Sequence, residues 1–141
     1  MAVGAALALH GTQRLAVAVL GDGDFLMGAT ALWTAARCRL PLLVVIANNC
    51  SFFNDELHQD AVAVRRSRPR SNRSVGTSIS DPAPDLAMLA RSQGVSGFGP
   101  VTHPAALAPE LRRALSVADN GLPAVVDVRV ERRYDGREDH R

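Results

Sequence analysis

The segment GDGDFLMG, Gly21 to Gly28, follows the apolar run LAVAVL and combines close-spaced glycines with two carboxylates, Asp22 and Asp24. Gly21 and Gly23 permit an unusual turn and close approach of the backbone to a phosphate, yet no lysine accompanies them. Two carboxylates beside a diphosphate repel it: like unit charges about 4 Å apart, at an effective dielectric near 20, cost on the order of 4 kcal/mol. A divalent cation reverses the sign. Magnesium takes near-octahedral oxygen donors, commonly one or two carboxylate or carbonyl oxygens together with phosphate oxygens. Asp22 and an amide oxygen from the later pair Asn48-Asn49 are donors of that kind. Asp24 either caps the helix that follows or turns its backbone N–H toward the phosphate.

Three apolar runs read as buried strands that position these residues: Leu15 to Leu20, Leu42 to Ala47 and Ala124 to Val130. They are rich in β-branched residues and bounded by Gly, Pro or Asn, and the first two are continuous, as strands covered on both faces are. Helical patterns lie between them. One runs from about Phe25 to Cys38 with Asp24 as its cap, a second from Pro84 or Asp85 to about Gln93, and a third carries Leu111, Leu115 and Ala118 and ends at Gly121. Pro109 is expected in the first turn of the third helix or in a short turn before it. The alternation predicts an α/β fold, a three-layer sandwich with a mostly parallel central sheet and helices on both faces. Ligands then bind at the carboxyl ends of the strands. GDGD ends the first strand and Asn48-Asn49 the second, so the two motifs converge if those strands are neighbours.

The helix after GDGD is apolar over most of its circumference, with Thr30, Thr34 and Arg37 as its polar stripe. Such a helix is buried on more than one side, which in so short a chain implies a partner subunit or a further domain. Met27 and Trp33 are expected in the core or at that interface. The N-terminal MAVGAALALHGTQ begins inside an Ala/Leu helical pattern with no capping residue ahead of it, as in a domain fragment or a product lacking its upstream part. From Cys50 to Pro84 the periodicity lapses, and residues 50–84 read as a long loop, a lid or an interface arm, with five arginines between Arg65 and Arg73. Residues 1–131 form the expected domain and 132–141 a polar tail.

The array GDG, 24 intervening residues and then Asn48-Asn49 resembles the cofactor motif of thiamine-diphosphate-dependent enzymes. The wider run GDGDFLMGATALWTAARCRLPLLVVIANN is similar to the acetolactate-synthase-like branch, and the resemblance continues to the closing PAVVDVRV strand. It implies the thiamine-diphosphate-binding fold, N-terminally truncated, with thiamine diphosphate and Mg2+ as cofactors. It also implies that Asp22 and Asn49 ligate the metal through side-chain oxygens and Ser51 through its backbone carbonyl. Gly21, Gly23, Asp24 and Phe25 then form the diphosphate side, Asn48 braces the turn, and Cys50 has no assigned chemistry.

In that family a glutamate from a separate pyrimidine-binding domain, usually on another subunit, promotes the required cofactor tautomer. Glu56, Glu110, Glu131 and Glu138 all follow the cofactor motif, so catalytic residues are unassigned. Two functions follow: a cofactor-binding domain of a 2-oxoacid decarboxylase or carboligase, acting as a homo-oligomer or paired with a pyrimidine-binding domain, or a truncated or split module that binds without turnover.

Competing readings have less support. A dinucleotide fingerprint requires G-x-G-x-x-G, and GDGDFLMG spaces its third glycine too far along. His58 either faces substrate or serves as a structural hydrogen-bonding residue, while His10, His103 and His140 read as helix-end or surface residues. The arginine run either binds a phosphorylated or acyl-CoA substrate or is a solvated face. A net charge of +2 in 141 residues, with no aromatic platforms among the basic residues, argues against nucleic acid. No apolar stretch reaches membrane-spanning length. Cys38 and Cys50 lack the spacing of a zinc site or a disulfide framework, and a cytoplasmic location is expected.

Overall fold

The computed structural model describes residues 1–133. Four strands form one parallel sheet: β1 (Ala16–Gly21), β2 (Leu42–Asn48), β3 (Ser96–Val101) and β4 (Pro123–Arg129), in the order β1-β2-β4-β3. Six helices connect and flank them: α1 (Ala2–Leu9), α2 (Asp22–Gly28), α3 (Ala31–Arg37), α4 (Phe53–Arg65), α5 (Leu86–Ser92) and α6 (Pro104–Asp119). Alternate residues of β2 serve opposite faces, as the period of a strand requires. Leu42, Val44 and Ile46 pack with Ala6, Phe25, Leu32, Leu86 and Ala90 from α1, α2, α3 and α5 and with Ala29 between α2 and α3. Leu43 and Val45 join Leu107, Leu111, Ala114 and Val117 of α6 on the other side. The architecture is the expected α/β arrangement of helices on both faces of a parallel sheet.

The strand boundaries fall within a residue of the expected ones, but β1 is not covered on both faces. It lies at the edge of the sheet, and Val17 and Val19 are 58% and 71% exposed. The helix that covers their face, α6, packs on β4, β3 and β2 and leaves β1 bare.

The single helix expected over Phe25 to Cys38 is instead two. α2 starts at Asp22, without a side-chain cap from Asp24, and Ala29 and Thr30 retain right-handed helical dihedrals into α3. Its outward face carries exposed Met27 and Trp33. Asp85 caps α5 as expected, accepting the Met88 N–H at 2.6 Å. Pro109 lies inside α6 rather than in its first turn, because the helix opens earlier, with Pro104 at its start.

Two elements escaped the sequence reading. Within the segment expected as a loop over 50–84, Phe53–Arg65 form α4 and Arg70–Asn72 a 3-10 turn. α4 buries only Glu56 and so has no apolar stripe to betray it. Arg70 clamps the 3-10 turn to α4 through a two-pronged contact with Asp60, at 2.7 and 2.6 Å. That hydrogen bond, ahead of the charge attraction of Arg70 and Arg73, holds the Asp60 carboxyl below its ordinary value.

The other missed element is β3, whose sequence SGFGPV lacks a strand composition. Its glycine permits contact rather than flexibility: a Cβ on Gly97 would stand 2.2 Å from the Ala87 carbonyl oxygen of α5. Gly97→Ala is therefore expected to destabilise the chain by about 1–3 kcal/mol, read as a lowered midpoint in urea unfolding with an unchanged slope.

Candidate cofactor site

The β1–β2 pairing places Gly21 beside Ala47, so the residues that leave the two strands emerge side by side at their carboxyl ends. A cleft of about 340 Å³ opens there, lined by Gly21, Asp22, Gly23 and Asp24 on one side and by Ala47, Asn49 and residues 51–55 on the other. Its central contact is a shared donor. The Ser51 backbone N–H is 3.1 Å from Asp22 Oδ2 and 3.0 Å from Asn49 Oδ1, so the two side-chain oxygens lie within two hydrogen-bond lengths of each other.

Asp22 is 2% exposed, and no arginine or histidine pairs with it among the described residues. Its Oδ2 accepts the neutral Ser51 N–H. A carboxylate, an amide oxygen and a nearby backbone turn form an all-oxygen donor set, which suits a hard cation such as Mg2+. Among the described residues no group of three or more His, Cys, Asp or Glu residues forms a metal cluster, so the donor set would be of this mixed kind.

At Gly23 a Cβ would come within 2.2 Å of the Phe52 ring, so any side chain there would have to displace that ring. Phe52 thus roofs the glycine turn. Asp24 is exposed at the mouth of the cleft. Phe25, grouped with the cofactor residues by sequence, instead turns into the apolar core at 3% exposure and does not line the cleft; three residues after Asp22, it falls on the inner face of α2.

Asn48 is buried and lies behind the cleft. Its Nδ2 donates to Asp127 Oδ1 at 2.9 Å, and its Oδ1 accepts from the Cys50 N–H at 3.1 Å and from Arg129 Nη1 at 3.2 Å. Arg129 also contacts the Cys50 thiol, and neither cysteine is in a disulfide. Ser51 Oγ donates to Glu56, a residue only 6% exposed at the start of α4. The sequence reading missed Glu56, Asp127, Arg129 and Arg132, none of which belongs to a spaced motif. Arg132, assigned to the tail, instead donates to the Asn49 and Cys50 carbonyls. His58 is exposed and outside the cleft lining, as are His10's helix end and His103; His140 and the rest of the tail beyond 133 lie outside the described residues. A second recess, of about 390 Å³, follows β3 and the start of α6, where Arg113 stacks over the Phe98 ring at 5.1 Å. None of the expected site residues borders it.

A parallel α/β sheet with an acidic glycine turn and an asparagine at adjoining strand ends has its candidate binding crevice at the carboxyl ends of the strands. The family model described as thiamine pyrophosphate enzyme, C-terminal TPP binding domain, matches residues 1–128, and the chain belongs to that family. It is 34% identical over 125 residues to a putative thiamine pyrophosphate-containing protein, YdaP, of Bacillus subtilis, covering 89% of this chain and 19% of that protein. It is 30% identical over 130 residues to an acetolactate synthase of Bacillus subtilis, covering 92% of this chain and 20% of the relative. The chain thus spans about a fifth of the length of these relatives. Among solved structures, a Rhodococcus jostii thiamine diphosphate-dependent 4-hydroxybenzoylformate decarboxylase is similar at 26% identity and a TM-score of 0.64, with 96% of this chain and 23% of that one covered. The benzoylformate decarboxylase of Polynucleobacter necessarius shares the fold, at 20% identity and a TM-score of 0.69, over 95% of this chain and 23% of the other.

Asp127 carries the clearest electrostatic cost. Burial pushes its carboxyl above the ordinary value of 3.8, against the opposing pull of the Asn48 hydrogen bond and the Arg129 charge. Below 3.8 folded and unfolded forms are both protonated and no penalty exists. As pH rises, the unfolded chain releases the proton first, so this contribution to stability is lost as pH passes through the raised folded value. Asp127→Asn keeps an acceptor for Asn48 and removes the charge. Its unfolding temperature relative to wild type is expected to fall as pH is lowered through the raised folded value toward 3.8, measured by thermal melts at successive pH values.

Proposed function

We propose that this chain is the thiamine diphosphate and Mg2+ binding domain of an acetolactate-synthase-like 2-oxoacid decarboxylase or carboligase. The observation that carries the reading is the single Ser51 N–H shared by Asp22 Oδ2 and Asn49 Oδ1 inside the strand-end cleft. In this scheme Asp22 and Asn49 hold the metal through side-chain oxygens, and Ser51 adds its backbone carbonyl. Gly21, Gly23 and Asp24 line the diphosphate side, with Gly23 allowing close backbone approach, while Phe25 supports the turn from the core. Asn48 braces the strand exit from behind. Bound thiamine diphosphate supplies the electron sink for chemistry on a 2-oxoacid; the protein's part is to fix the diphosphate and screen its charge. The relatives named acetolactate synthase support that branch.

A second reading has its own support: a split or non-catalytic cofactor-binding module that needs a partner. Val17, Val19, Met27 and Trp33 present exposed apolar surface. A pyrimidine-binding domain or a second copy of the chain, in a homo-oligomer, would cover it. The two unpaired thiols fit a cytoplasmic setting, and no helix of the described residues is long and apolar enough to cross a membrane.

Calorimetric titration of the chain with thiamine diphosphate tests the cofactor scheme. Binding is expected to require Mg2+, and Asp22→Ala is expected to weaken it at least about 100-fold while circular dichroism stays native. Affinity indifferent to a chelator or to Asp22→Ala would remove the metal from the scheme. The purified chain alone is expected to release no carbon dioxide from pyruvate above the uncatalysed rate, and robust release would exclude the binding-only module.

A further inference from the structure

We propose that Arg132 and Glu56 form a positioning clamp that presents the Asn49–Ser51 segment to the metal; the proposal rests on the cofactor reading above. The segment has an awkward task. It must turn an amide side chain and a peptide carbonyl toward one point while the backbone passes through Cys50 at a φ of 58°, a left-handed conformation unfavourable for a residue with a Cβ. Such a conformation persists only where its surroundings over-determine it.

The inner side is tied by the Ser51 N–H to Asp22 and Asn49, and by the Cys50 N–H to Asn48. The outer side is tied by one guanidinium. Arg132 Nε donates to the Asn49 carbonyl at 2.8 Å and Nη2 to the Cys50 carbonyl at 2.7 Å. The third nitrogen, Nη1, lies 3.8 Å from Glu56 Oε1, the same oxygen that accepts the Ser51 hydroxyl. Ile79 N–H adds a second donor to the Cys50 carbonyl, at 2.8 Å.

All three residues of the segment are therefore gripped from one planar fork and the buried carboxylate it faces. A lysine ammonium is a point donor on a flexible stem and lacks that fork.

The clamp has a consequence that a general fold brace would not. Mg2+ demands near-ideal octahedral placement of its oxygens at about 2.0–2.1 Å, whereas Ca2+ accepts longer and more irregular coordination. Loosening the segment should therefore penalise Mg2+ more than Ca2+.

The test compares the full chain with Arg132→Met, Arg132→Lys and Glu56→Gln. It uses thiamine diphosphate titrations in Mg2+ or in Ca2+, and amide hydrogen exchange without any ligand. Arg132→Met is expected to weaken Mg2+-supported binding about 10–100-fold and Ca2+-supported binding by a smaller factor, with Arg132→Lys and Glu56→Gln between it and wild type. Exchange at residues 49–52 should accelerate at least about tenfold, while amides at 43–46 and 124–127 keep their protection. Equal losses with both ions, unchanged loop exchange or equal acceleration in the sheet would each overturn the clamp. If the wild-type chain binds no thiamine diphosphate with either ion, the cofactor reading falls. The exchange pattern then decides the clamp by itself: local deprotection supports it, and its absence refutes it.

Discussion

One backbone N–H, that of Ser51, joins the two halves of the site, and the remaining geometry follows from the need to place it. Asp22 belongs to the exit of β1 and Asn49 to the exit of β2, and both side chains accept the same proton donor. That is possible only because the strands are parallel, adjacent and in a register that sets Gly21 against Ala47. Parallel neighbours need a crossover, and α2 and α3 provide it. The central strands β2 and β4 supply the rear support through Asn48 and Asp127. A buried carboxylate stands on each side, Asp22 in front and Asp127 behind. Burial makes the charged form of Asp127 costly, and an amide and an arginine meet it, while Asp22 borders the cleft.

Much of this was legible in the sequence because it rests on local signals. LAVAVL and LLVVIA carry a strand composition, GDG and Asn-Asn are unusual where apolar runs stop, and Asp85 announces α5. The missing parts depended on distant partners. β3 carries Gly97 where α5 comes within contact of its backbone and Gly99 where the Asp127 carbonyl does, exclusions that composition does not record. α4 escaped because it is tied by polar contacts, from Glu56 to Ser51 and from Asp60 to Arg70, rather than by an apolar stripe. Arg129 and Arg132 act across more than 75 residues of chain, and nothing in their local sequence distinguishes them from solvated arginines. Phe25 differs for the opposite reason: proximity in sequence to the glycine turn grouped it with the cofactor residues, and the helical period turns its side chain into the core.

The bare face of β1 and the outward face of α2–α3 share one origin. The helices on one side of the sheet come from the chain on either side of β1 and β2, but among the described residues the opposite side has α6 alone. α6 is centred on β4 and β3, the strands it connects. The outermost strand is therefore half-finished in this chain, with Val17 and Val19 facing outward. Scattered apolar residues on a surface are ordinary, but alternate residues of one strand form a contiguous stripe.

The crossover between the glycine turn and the asparagine pair also acts as a ruler. The 24 residues that separate GDG from Asn48 carry the chain down the length of the sheet and back up it, with the reversal at Arg39–Pro41. A residue added within β2 would flip every side chain beyond it to the opposite face, sending Asn49 away from Asp22. One added at the reversal, or between α4 and α5, would leave both strand tips where they are. Length variation among sequences that keep this site should therefore gather at those bends and be scarce inside the crossover's rigid segments.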